Sequence, residues 1–435
     1  MLDFAVYLPR EIMEKVLSYF SARELSQIAL CNKLWRDLSN TDALWLHQCM
    51  IRGWLKYGVH ESLFQPVTFS TVSTNLSGTS PVYQPIESPT MPPICKWKQV
   101  FLRVNHLKIN WAKGRYSVSP VLRGHKEKVT CIACNGEIIA SGSEDNTLVI
   151  WDLASCQQLY KLDVHSDAIT DLQLHGSILV TGCADSTVRV FDVKAGLMKV
   201  SLQGHSGSVD RVKFDGSLIV SVGVDRSVNV WDLASAKLLH ILKGHTDEIE
   251  CVQVKNNCVL TGSWDSSLRM WNLKSGKEML HLMAHSEVVN CCDFDKKRIV
   301  SGSSDGTAKV WSSLSGRCTA TLFGHSAEVY CIAYTGQYIA TGSSDSSVKV
   351  WNLQGVCKYT LNGHLGVVRC LYIDEDKLIS GGDQKKIIVW DYKTGIKLND
   401  VYRHPSRLHK MLVTETKLIT ASPEKPGSIT VLSYW

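Results

Sequence analysis

GHTDEIECVQVKNNCVLTGSWDSSLRMWNL, residues Gly244–Leu273, sets a histidine, a hydroxyl, an aspartate and a tryptophan at fixed offsets. Taken alone, His245, Thr261 and Asp265 have the residue types of a base, a nucleophile and an orienting acid. The rest of the chain gives the stretch another meaning. The histidine recurs as His125, His165, His205, His245, His285, His325, His364 and His404, a step of 40 residues with one of 39. Sixteen residues after each stands Ser141, Thr181, Ser221, Thr261, Ser301, Thr341, Ser380 or Thr420. An aspartate follows in seven units: Asp145, Asp185, Asp225, Asp265, Asp305, Asp345 and Asp383. An aromatic closes the same seven: Trp151, Phe191, Trp231, Trp271, Trp311, Trp351 and Trp390. A reaction site is built once, or twice in a duplicated enzyme. Seven copies specify structure.

Each unit holds three β-branched, apolar runs, here IECVQV, NCVLTG and SLRMWNL, separated by Asn, Gly, Ser and Asp, and a fourth run leads to the next histidine. Short strands at a period near 40 predict the blades of a β-propeller. With Gly-His opening the unit and Trp-Asp or a variant closing it, the chain resembles the WD-repeat family over roughly three quarters of its length. The resemblance implies that the turn Asp bonds the His, which links through the hydroxyl to the indole; His245, Thr261, Asp265 and Trp271 are one such structural tetrad. An extra strand, RYSVSPVL (Arg115–Leu122), precedes the first histidine and can complete the last blade, leaving no open edge. Eight blades are expected. A seven-bladed ring with an appendage is the alternative, because Pro405 follows His404, SPEKPG lacks an Asp and Leu432 replaces the Trp.

Net charge is +6 over 435 residues, and six cations (Lys96, Lys98, Arg103, Lys108, Lys113, Arg115) cluster in one acid-free stretch. The remainder is nearly neutral, which argues against a nucleic-acid footprint. Of fifteen cysteines, Cys131, Cys251, Cys291, Cys331 and Cys370 share one strand column. They read as reduced core thiols of a cytoplasmic or nuclear protein, with no cofactor, metal or membrane partner. The charged N-terminus is unlike a signal peptide, and Ser62–Ile86 is too rich in Ser, Thr and Pro to span a membrane.

Leu8–Trp45 has helical apolar spacing: Ile12, Val16, Leu17 and Phe20, then Leu25, Ile28 and Ala29, then Leu34, Trp35 and Leu38. Ser21 with Glu24 predicts a capping box. About 40 residues make a thin core and leave apolar side chains seeking a partner. A helical decoration packed on the propeller is one reading. Leu8-Pro9, Glu11-Ile12, Val16-Leu17, Leu25, Cys31, Trp35-Arg36 and Leu44-Trp45 also resemble an F-box in order and spacing. That resemblance implies binding to the Skp adaptor, and through it to a cullin and a RING subunit. The contacts carried over are Leu8, Pro9, Ile12, Val16, Leu17, Leu25 and Trp35. An F-box ahead of WD repeats is similar to the substrate receptors of SCF (Skp–cullin–F-box) ubiquitin ligases, which are not themselves catalytic. The domains expected are an F-box over 1–50, a linker over 51–114 and a propeller over 115–435, an α+β multidomain chain. Within the linker, residues 61–94 form a Ser/Thr/Pro-rich loop with Ser80-Pro81 and Ser88-Pro89, and 95–113 a helix with Trp97, Val100, Val104, Leu107 and Trp111 on one stripe. F-box receptors carry a similar linker helix as a stiff spacer. Because only seven residues precede Leu8, a monomer is expected outside the complex.

In WD-repeat receptors the ring's upper face binds targets through residues five and three after each histidine and the residue before the turn aspartate. The resemblance points to Asp210, Glu250, Tyr330, Arg369 and His409 in the first set, Lys128 and Arg407 in the second, and Trp264 in the third. The basic members favour an acidic or phosphorylated protein target, although arginines are few for a phosphate reader. The alternative function is a WD-repeat scaffold that engages no ligase; copurification with the Skp adaptor separates the two.

Overall fold

A computed structural model describes residues 8–59, 95–383, 386–401, 408, 410–422 and 424–435. The 61–94 loop with its two Ser-Pro sites lies outside them. The chain divides into two compact units, one ending at Asn110 and the other beginning at Trp111.

The first unit holds short helices α1 (Arg10–Leu17), α2 (Ala22–Ile28), α3 (Lys33–Ser39) and α4 (Asp42–Ile51), a 3-10 turn over Trp54–Val59, and most of α5 (Lys96–Lys113). Ser21 and Glu24 form the expected capping box, which satisfies two N-terminal amides of α2. Asn32 caps α3 through the Trp35 amide. Leu17, Leu25, Leu44, Trp45 and Cys49 fill the centre of this unit. Trp45 donates its indole N–H to the Ser39 carbonyl at 2.7 Å and meets the Phe101 ring edge-on, with centroids 5.1 Å apart. Val100, Val104 and Leu107 bury the α5 stripe. No helix among the described residues is long and apolar enough to cross a membrane.

The second unit is an eight-bladed β-propeller. Seven blades are four-stranded antiparallel meanders over 129–163, 169–203, 209–243, 249–283, 289–322, 329–362 and 368–401. The eighth takes three strands from 410–433, and Ser117–Val118 and Leu122–Arg123 both pair with its strand Ser428–Ser433. The first strand of each blade touches that of the next around the ring, and the eighth returns to the first. The N-terminal strand thus closes the circle and removes the open edge. Second and third strands are almost wholly buried between neighbouring sheets, as in IIASGS and TLVIWD, whereas fourth strands such as QLYKLD face water. Trp111, at the start of this unit, stacks on Tyr434 at 3.6 Å between centroids and donates to the Glu415 carbonyl.

Two local features repeat. A β-bulge interrupts the first strand of blades one to seven at the residue five after the histidine, as between Ile249 and Cys251. The extra residue is left out of the ladder and its side chain is re-aimed. The residue after the turn aspartate also has positive φ in blades one to six: Asn146, Ser186, Arg226, Ser266, Gly306 and Ser346. Five of these carry a Cβ that the left-handed region disfavours. Aspartate hydrogen bonds to the next amides, as Thr147 N to Asp145, hold the turn.

Candidate functional site

The tetrads are the polar skeleton beneath the upper face. In blade four, His245 meets Asp265 at 2.8 Å through Nδ1 and Thr261 at 2.8 Å through Nε2, and Trp271 donates its indole N–H to Thr261 at 3.3 Å. The indole donates to the hydroxyl, and the imidazole links hydroxyl to carboxylate, so each buried atom is satisfied. Thr261 is 0% exposed, and no substrate can reach it. The His–Asp contact recurs in blades one to six at 2.8–3.3 Å. Burial holds His125, His165 and His325 below the usual imidazole range, consistent with neutral rings. His165, Cys183 and Asp185 offer ligand atoms within 4.8 Å of one another, a possible metal arrangement. Their atoms are already used: His165 bonds Asp185 and Thr181, and Cys183 donates to the Asp167 carbonyl.

Blade seven corrects one expectation. Asp383 does not join the His364 network. It follows His364 by 19 residues, where the other turn aspartates follow by 20. Its amide bonds the Val367 carbonyl, just as the Trp264 amide bonds Glu248 in blade four. Asp383 therefore occupies the surface position before the turn aspartate, and Gly382 is buried one step inward. Its carboxylate takes the Arg369 guanidinium at 3.0 and 3.4 Å.

The bulge decides which side chains reach the upper face. Thr130, Thr170 and Asn290, all bulge residues, instead hydrogen bond to the first strand of the following blade, at Ile169, Val209 and Val329. Asp210, Glu250, Tyr330 and Arg369 remain as surface groups. Glu250 accepts from the Arg211 guanidinium and from the indole of Trp264, each at 3.1 Å, and Trp264 is 49% exposed. Burial raises Asp210, and the nearby Glu248 and Glu250 raise it further. Across the basic members, Lys128 pairs with Glu144 at 3.1 Å, and Arg369 lies over the Tyr330 ring while bound to Asp383. Arg407 and His409 lie outside the described residues.

On the helical unit, the seven residues carried over as adaptor contacts divide. Leu8, Pro9, Ile12 and Val16 are exposed, and Tyr19 continues the Ile12–Val16 side of α1. Leu17 and Leu25 are 1% and 0% exposed and belong to the unit's own core. Trp35 is half-buried.

Comparisons with known proteins agree with this geometry. The family described as "WD domain, G-beta repeat" matches seven windows between residues 117 and 391, and "F-box-like" matches residues 5–51. The chain belongs to the WD-repeat family, among the members that carry an F-box-like segment ahead of the repeats. The eighth blade's three strands from residues 410–433 lie beyond the matched windows. "F-box/WD repeat-containing protein 7" of Drosophila melanogaster is 31% identical over 38% of this chain and 11% of that protein. "Probable E3 ubiquitin ligase complex SCF subunit scon-2" of Neurospora crassa is 27% identical over 35% of this chain and 30% of that one. The chain thus spans a third or less of these curated relatives. A crystal structure of the computationally designed Ika8 protein is 31% identical, with a TM-score of 0.68 over 72% of this chain and 98% of its own.

Proposed function

We propose that this chain is the substrate-recognition subunit of a cullin-based SCF ubiquitin ligase: its F-box binds the Skp adaptor and its propeller binds the target. It performs no chemistry itself and acts in the cytoplasm or nucleus, as a monomer outside the complex. The observation that carries the reading is the water-facing apolar side of α1. Ile12 is 47% and Val16 44% exposed within the F-box match, although the helix already buries Met13 and Leu17 on its other side. A small soluble unit holds such a row only at a cost in solubility unless a partner covers it. Relatives named as E3 ubiquitin ligase complex SCF subunits, scon-2 and sconB, support the same partner class.

Target contact falls to the bulge residues. Trp264 beside Glu250 and Asp210 offers an aromatic anchor with negative charge around it. An acidic or phosphorylated segment at Arg369 would have to displace Asp383.

The test is binding of the purified full chain to recombinant Skp adaptor. Ile12→Glu and Val16→Glu should abolish binding while leaving thermal stability near wild type. Leu17→Ala should lower stability, because it removes core. Unimpaired binding by both charged variants would remove α1 from the interface, and no binding by wild type would favour a scaffold outside any ligase.

A further inference from the structure

We propose that Cys251 and Cys292 form a thiol pair that a hydroperoxide converts into a disulfide joining blades four and five. The two residues lie on neighbouring first strands, Ile249–Lys255 and Val289–Phe294, with their sulfurs 3.3 Å apart. Cys251 directly follows the bulge residue Glu250. Its sulfur sits between Gly262 and Val289, where a Cβ added at Gly262 would come within 2.7 Å of it. The same seat recurs around the ring. Cys291 lies against Gly302 and Val329, and Cys331 against Gly342 and Val368. The partner column, seven residues after each histidine, distinguishes the fourth junction: it reads Ile132, Leu172, Val212, Val252, Cys292, Ile332, Leu371 and Met411. Cys291 and Cys331 accordingly face aliphatic side chains and direct their thiols to carbonyls, at Gly302 and Val368. Only the step from blade four to blade five sets a thiol against a thiol in these two columns.

The two residues differ in exposure. Cys251 is partly exposed and Cys292 is 3% exposed. The Cys251 thiolate attacks one peroxide oxygen, the O–O bond breaks, and a sulfenic acid forms as the other oxygen leaves as water. The Cys292 sulfur then attacks the sulfenic sulfur; its proton leaves with the displaced hydroxide as a second water. Two thiols and one hydrogen peroxide give one disulfide and two waters. The Cys251 contact and then burial hold Cys292 well above the ordinary thiol range, which leaves the first attack on peroxide to the more exposed Cys251. The bond would tie together the strands whose bulges carry Glu250 and Asn290.

The experiment treats the full chain with hydrogen peroxide at neutral pH, blocks free thiols and maps the peptides. The expected product is a Cys251–Cys292 linked peptide, two hydrogens lighter, reversed by dithiothreitol. It should persist in Cys291→Ser, which resolves the neighbouring cysteine, and vanish in Cys292→Ser. The oxidised chain should melt roughly a few degrees higher than the reduced one. A link through Cys291, a link formed only after denaturation, or Cys251 recovered free or as sulfinic acid in the native wild type would each overturn the proposal. Because the wild type and Cys291→Ser decide it, a Cys292→Ser chain that fails to fold leaves the result readable.

Discussion

Blades four and seven are built from the same parts and use them differently. In blade four Asp265 accepts from His245, from the Thr246 and Ser267 amides and from the Ser267 hydroxyl. Every polar atom of that tetrad is paired. In blade seven His364 keeps Ser380, which accepts from the Trp390 indole, both through 2.7 Å bonds, but the His364 Nδ1 has no hydrogen-bond partner among the described residues. Burial, assisted by Lys386, pushes this imidazole down to about 4, so it stays neutral at physiological pH. Blade seven places a carboxylate on the upper face beside Arg369. One residue of offset moves an aspartate from the skeleton to the surface. The ring tolerates the change because each sheet also buries apolar faces against two neighbours, as around Val368, Leu378 and Trp390.

The largest contrast should come from removing the two aspartates. Asp265→Ala should lower unfolding stability by about 2–4 kcal/mol, since it strands His245 and opens the turn. Asp383→Ala removes only a partly exposed ion pair and should cost less than about 1 kcal/mol. Denaturant titration measures both, and equal losses would erase the distinction drawn here. The double variant His245→Ala/Asp265→Ala should fall well short of additive, because the pair shares one network.

Acid should sharpen the same contrast to a smaller degree. Burial by itself would raise Asp145 and Asp345, but hydrogen bonds from Thr147 and Ser347 and the adjacent histidines outweigh it and hold both at about 2. Asp265 is lowered further, by His245 and Ser267 against the same burial. A carboxyl depressed on folding contributes stability that is full above its unfolded value near 4 and is lost as pH falls through the folded value. Melting temperature should therefore drop steadily between about pH 4 and pH 2, and less steeply in Asp265→Asn. Parallel curves for the two chains would exclude the turn carboxylate as the source.

The smallest effect concerns the turn backbone. Arg226 is exposed at φ 63°, whereas blade five places Gly306 at the same step. Arg226→Gly should stabilise by up to about 1 kcal/mol, and Gly306→Ala should destabilise by a similar amount. A Cβ at Gly306 would meet nothing closer than 3.5 Å, so any loss there comes from φ and not from a clash.

Several features could be read from residue order alone because they are local or repeated. The histidine step and its sixteen-residue hydroxyl fix which strand each residue occupies, and Ser21 with Glu24 closes a capping box within one helical turn. The place of Asp383 was also written in the sequence, as an offset of 19 where 20 is the rule, but choosing the nearest aspartate conceals it. Tertiary structure alone decided the rest. An apolar helix reads alike whichever side is covered, so only packing shows that Leu17 and Leu25 face inward while Ile12 and Val16 face water. A bulge residue has no composition of its own. Whether it bridges to the next blade, as Thr130 does, or stands on the upper face, as Glu250 does, depends on which carbonyl lies opposite. The charges of Arg369 and Lys128 are plain in the sequence, but the carboxylates that hold them lie fourteen and sixteen residues away and meet them only when the blade folds. Periodicity fixes the ring because every unit repeats the same local instruction. Its binding chemistry is set by contacts across strands and blades, which no single unit encodes.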